Sequence, residues 1–87
     1  MFYVYVLRSD KDGALYIGST NDLRRRLQEH NSGKVESTHS RFPFQLVYYE
    51  AYAAQQDARK RESQLKRFSG AYTHLKRRIV NSLILFK

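Results

Sequence analysis

Several side chains with a bearing on phosphate chemistry lie close together early in the chain. Tyr16, Gly18, the run Arg24-Arg25-Arg26 and His30 fall within fifteen residues, and Tyr3 and Tyr5 precede them. Arg26 and His30 are four apart, which puts them on one face of a helix. With the carboxylate of Glu62, much further on, these phenols, guanidinium and imidazole suit phosphodiester chemistry. There, catalysis is mostly positioning and charge stabilisation, and little covalent work falls to the protein. Other chemistries lack their residues. The chain has no cysteine, which excludes disulfides, thiolate nucleophiles and thiolate metal sites. It also has no phosphate-binding glycine loop, His-Glu-x-x-His pair, dinucleotide fingerprint or serine-nucleophile elbow.

The composition points the same way. With 16 Lys+Arg against 8 Asp+Glu, the formal charge of +8 implies a polyanionic partner, nucleic acid before an anionic membrane surface. A chain of 87 residues that is 41% hydrophobic suits one domain, 1–87, with a modest core. The apolar start from Met1 to Leu7 has no basic leader or small-residue cleavage site, and no apolar run approaches spanning length. The expectation is therefore a soluble cytoplasmic protein without a membrane partner.

The elements that must carry these residues follow from local pattern. Phe2 to Arg8 alternates β-branched and aromatic residues up to a turn at 9–13, and Ala14 to Ser19 is the natural hairpin partner. Pairing Arg8 with Gly13 would set Tyr5 opposite Tyr16 and Tyr3 opposite Gly18. All four would then share one face, with Val4, Val6, Leu15 and Ile17 on the other. A helix is expected from about Asn21 to before Ser32-Gly33, where glycine can close it. Residues 34–41 form a loop, and Phe44 to Glu50 a third strand with apolar residues of both parities. Ala53 to Arg67, free of Gly and Pro, reads as a helix with Ala54, Ala58, Leu65 and Phe68 as its stripe. Arg61 lies nearer the centre of that stripe than Glu62, so geometry alone does not choose between them, and Asp57 could pair with Arg61. Ser69-Gly70 breaks the pattern before a last helix through Tyr72, Leu75 and Ile79 and an apolar tail, Leu83 to Phe86. The fold class is α/β (α+β): a three-stranded antiparallel sheet in the order ββαβαα, with helices over one face and the edges.

These residues together resemble the GIY-YIG nuclease superfamily. Tyr16-Ile17-Gly18 matches the second half of its name motif, and Tyr3-Val4-Tyr5 stands for the first. Arg26 lies ten after Tyr16, where the family carries its helix arginine; His30 occupies a position often histidine; and Glu62 resembles the metal-binding glutamate. The match is closest to small stand-alone bacterial members, kin to the N-terminal domain of an excision-repair nuclease. Two positions depart from the pattern. Tyr3 replaces the first glycine, and no asparagine follows Glu62 until Asn81, which is too distant to assign. The resemblance implies an endonuclease of low sequence specificity, acting in DNA repair or processing on DNA that includes branched or single-stranded forms. It implies Mg²⁺ or Mn²⁺ held by Glu62 and charge neutralisation by Arg26. Tyr5 would orient or deprotonate the attacking water, Tyr16 would position water or phosphate, Gly18 would shape the site, and His30 would either share proton transfer or hold a tyrosine hydroxyl.

Binding would rest on Arg24, Arg25, Arg59, Lys60, Lys66 and Arg67, with His39 as a loop contact, and recruitment by a protein partner is a further expectation. Each residue also has an ordinary reading. The tyrosines could be strand-packing aromatics, Arg26 a surface arginine, His30 a helix-end residue, and Glu62 a partner of Arg59 or Lys66. The competing function is a catalytically silent module of the same fold that binds DNA or structured RNA.

Overall fold

The computed structural model describes residues 1–85; Phe86, the end of the apolar tail, lies outside the described residues. The elements are β1 (Phe2–Ser9), β2 (Leu15–Thr20), α1 (Leu23–Asn31), β3 (Phe44–Tyr52), α2 (Gln55–Arg67), α3 (Ser69–Arg78) and α4 (Val80–Ile84), with a 3₁₀ turn at Glu36–Thr38. The sheet is antiparallel in the order β2-β1-β3, so the two expected hairpin strands pair and β2 is an edge. No helix among the described residues is long and apolar enough to cross a membrane.

The hairpin register differs from the expected one by two residues. Arg8 pairs with Leu15, Leu7 with Tyr16, and Tyr5 with Gly18. The cause lies in the turn, where Ser9 Oγ accepts the amide hydrogens of Lys11 (3.1 Å) and Asp12 (3.3 Å) and Gly13 takes φ 72°. This side-chain cap draws residues 10–14 into a longer loop than alternation alone suggests. A slip of two preserves the faces, because side chains alternate with period two.

The helices cover both faces of the sheet, not one face and the edges. Val4, Val6, Ile17 and Val47 face α2 and α3, packing with Ala58, Leu65, Leu75 and Ile79. Tyr5, Leu7 and Phe44 face α1, packing with Leu23 and Leu27. A bulge opposite Val6/Leu7 sends Val47 and Tyr48 to the first face and Leu46 and Tyr49 to the second, which explains the mixed parity of β3. Phe68, placed in the stripe of α2 by sequence, is 62% exposed, because the chain turns there into α3. The break between α2 and α3 falls at Phe68, one residue before Ser69 and Gly70, which open α3, and a second break at Ile79 divides the expected last helix into α3 and α4.

Caps and side-chain ties fix the helices. The side chain of Asp22 caps α1 by accepting from Arg25 N at 3.1 Å, and Gly33 (φ 75°) closes its far end. Next to it Asn31 bonds both the N–H (2.6 Å) and the carbonyl (3.1 Å) of Phe44, tying the end of α1 to the start of β3. On the opposite face Arg61 makes a forked contact to Glu50 at 3.0–3.2 Å, so its partner is on β3 and is not Asp57. Tyr48 and Tyr52 also donate to Glu50. Burial pushes this carboxyl up, but the bonds from Arg61, Tyr52 and Tyr48 outweigh it and hold the group below the usual carboxylate range.

Candidate active site

Tyr5 and Gly18 are built around each other. Gly18 lies directly opposite Tyr5 on the edge strand, and a Cβ there would fall onto Tyr5 Oη, 2.6 Å from Cζ and 3.1 Å from Tyr16 Cε2. Only a residue without a side chain lets the phenol lie across the backbone of β2. Tyr16 flanks it, with ring centroids 6.4 Å apart.

His30 completes this cluster from α1. It is fully buried, and its ring meets those of Tyr16, Phe44 and Tyr5 edge-on at 5.0, 5.7 and 5.8 Å. Nε2 lies 2.9 Å from Tyr5 Oη and Nδ1 2.8 Å from Thr38 Oγ1. Burial and then the positive charge of Arg26 push the imidazole down to about 4, against a smaller opposing pull from Glu29, so it is neutral near pH 7. Burial pushes the Tyr5 phenol up to about 12, although the Arg26 guanidinium beside it acts in the opposite direction. Arg26 in turn is braced by Glu29 at 3.1 Å, and Arg25 reaches the same carboxylate at 3.8 Å.

Glu62 comes to the edge strand from the opposite face. Ser19 Oγ donates to its Oε1 at 2.8 Å and Lys66 Nζ to its Oε2 at 2.9 Å. The Lys66 ammonium lies 5.9 Å from the centroid of the Tyr16 ring, so the α2 side chains reach round the edge to the phenol cluster. Tyr5, Tyr16, Arg26 and His30 therefore form one group and Glu62 a second across β2; its negative charge is among the influences that raise the Tyr5 phenol. A cleft of ≈ 320 Å³ opens between α1 and α2, lined among others by Ser19, Thr20, Arg25, Arg26, Gln55 and Arg59.

Arg24, Lys60 and Arg67 are exposed and join neither group. His39 is exposed and bonds the carbonyl of Glu36, while its neighbour Thr38 points inward to His30. Asn81 is exposed on α4, which packs toward β3, at the sheet edge opposite β2. Sequence reasoning missed Ser19, Glu29 and Thr38. Glu29, three after Arg26, was legible from helix spacing. Thr38 sits in an aperiodic polar loop, and no pattern links it to His30.

A family model described as the GIY-YIG catalytic domain matches residues 1–79. A UPF0213 protein of Streptococcus pneumoniae serotype 4 is 47% identical over 66 residues, covering 75% of this chain and 66% of the relative. One of Bacillus pumilus is 46% identical over 65 residues, covering 74% and 65%. The chain thus spans just under two thirds of the length of these relatives. The solution NMR structure of a UPF0213 protein of Bacillus halodurans is 37% identical with a TM-score of 0.47, covering 100% of this chain and 86% of that one. With the tyrosines, glycine and helix arginine gathered at one strand edge and the family model matched over most of the chain, the protein belongs to the family of GIY-YIG catalytic domains.

Proposed function

We propose that the protein is an endonuclease that hydrolyses DNA phosphodiester bonds with a divalent cation and little sequence preference, in DNA repair or processing. The observation that carries this reading is the buried phenol of Tyr5, held over Gly18 and beside His30 and Arg26, the last of which lines a basic cleft. Arg26 neutralises charge developing on the scissile phosphate, a task that suits the planar guanidinium fork. Tyr5 is protonated in the resting protein and orients the attacking water; Tyr16, on the next strand, positions water or phosphate beside it. Arg25 and Arg59 line the cleft where neighbouring phosphates would run.

Glu62 fits as the ligand of Mg²⁺ or Mn²⁺. It is a hard oxygen donor oriented by Ser19, and a cation, the Lys66 ammonium, already stands against it. Among the described residues no three His, Asp or Glu side chains group together, so waters and phosphate oxygens would fill the remaining positions, as Mg²⁺ accepts. When bound, the ion supplies positive charge to the phosphate oxygens and acidifies water.

The test is incubation of purified protein with plasmid, branched and single-stranded DNA, with Mg²⁺, Mn²⁺ or chelator. Cleavage that needs metal and disappears in Glu62→Ala and Arg26→Ala protein is expected; cleavage surviving both changes refutes the site. One observation favours the silent nucleic-acid-binding module, namely that both oxygens of Glu62 already have protein partners. DNA binding without cleavage in either metal would select that reading.

A further inference from the structure

The hydrogens of the Tyr5–His30–Thr38 chain can be counted. A neutral imidazole carries one N–H, and each hydroxyl one hydrogen. Two hydrogen bonds join the three groups, so one hydroxyl must point its hydrogen outside the chain. Thr38 is 0% exposed, and its hydroxyl has no hydrogen-bond partner except His30 Nδ1 among the described residues. Turning its hydrogen away would leave a buried donor unsatisfied, a penalised arrangement. The Tyr5 hydroxyl likewise has His30 as its one hydrogen-bond partner among the described residues, but it retains 2% exposure and lies beside Arg26, whose side chain is 34% exposed at the cleft. The outward hydrogen therefore belongs to Tyr5.

We propose that Thr38 is a positioning residue: its hydroxyl donates to His30 Nδ1, which fixes the imidazole as the Nε2–H tautomer and makes His30 a donor to Tyr5 Oη. Of the two roles open to His30, this selects holding the tyrosine and excludes accepting its proton. The Tyr5 oxygen then faces two donors, His30 Nε2–H and the Arg26 guanidinium, and its own hydrogen points away from both, free to meet water or a phosphate oxygen. A phenolate formed there would be stabilised from both sides. The low basicity of the buried imidazole agrees with this assignment, since a group held neutral down to about pH 4 is a poor proton acceptor. The activity arm of the test rests on the nuclease reading; the tautomer does not.

The tautomer is read from long-range proton–nitrogen NMR correlations of ¹⁵N-labelled protein near pH 7, with His39→Gln and His74→Gln changes leaving His30 as the one histidine. The wild-type background should show nitrogen shifts of the Nε2–H form. Thr38→Ser should retain it, and Thr38→Val should lose it while the remaining amide spectrum stays folded. If Thr38→Val does not fold, the wild-type tautomer and Thr38→Ser still decide. An Nδ1–H form in the wild type, or unchanged shifts in folded Thr38→Val, would overturn the proposal. With activity established, Thr38→Val should lower kcat about tenfold at constant KM, the equivalent of one buried hydrogen bond. Absence of cleavage in the wild type would count against the nuclease reading and leave the tautomer result standing.

Discussion

Gly18→Ala is a one-carbon change whose effect can be worked from the geometry. The new Cβ would stand 2.6 Å from Tyr5 Cζ, whereas carbon atoms in contact keep about 3.5–4.0 Å. The ring must shift by about 1 Å, a displacement large enough to break the 2.9 Å contact to His30. Tyr16 and His30 pack against the ring, so the strain has no cheap outlet. Overpacking and a broken buried hydrogen bond together should cost roughly 2–4 kcal/mol. Displacing a reacting group by about 1 Å should lower cleavage about a hundredfold. Urea unfolding and metal-dependent plasmid nicking measure the two effects. Gly70→Ala is the control, because a Cβ there meets nothing within 4 Å and the helix should gain roughly 0.5 kcal/mol. In a Tyr5→Phe background the penalty of Gly18→Ala should shrink, since the nearest atom is gone, and the double-mutant cycle should report that coupling. Gly18→Ala protein with wild-type stability and wild-type cleavage would refute the reasoning.

Three other outcomes follow from the same contacts. Lys66→Met should tighten Mg²⁺ or Mn²⁺ binding about two- to fivefold in calorimetric titrations without DNA, the effect of removing a half-exposed competing cation from Glu62; unchanged affinity would place the ion elsewhere. His30 has a folded pKa of about 4, below its unfolded value of about 6.5, so the unfolded chain binds the extra proton between those values. Stability should therefore fall as pH drops from about 6.5 to 4, by up to about 3 kcal/mol relative to a His30→Gln variant measured in parallel, and parallel pH curves would sink the assignment. Arg61→Met strips Glu50 of its forked partner and should lower unfolding free energy by roughly 1–3 kcal/mol at pH 7, measured in urea, with cleavage per folded molecule unchanged.

Why some of this was legible in the sequence and some not comes down to the range of the forces involved. Alternation with period two assigned Tyr3, Tyr5, Tyr16 and Gly18 to one face correctly, because burial punishes a slip of one residue; a slip of two is invisible to it. The register came from Ser9 bonding its own turn, a local event with no periodic trace, and it is this register that puts Gly18 against Tyr5. On α2, helix spacing placed Arg61 and Glu62 side by side without choosing between them, and the choice was made by Glu50 on β3, far away in sequence. Thr38 depends on how the loop after α1 folds back, which only packing decides. The same logic explains why the site lies where it does. β2 has a strand on one side only, so its outer backbone is open, and an exposed strand edge invites pairing with another chain. Here α1 from one face and α2 from the other bring Arg25, Arg26 and Arg59 to that edge, and the glycine that exposes the backbone also admits Tyr5. A cationic edge resists another strand and attracts a polyanion. On the nuclease reading proposed above, one feature serves both ends, and charge reversal at Arg25 and Arg59 should weaken DNA binding while leaving the fold intact.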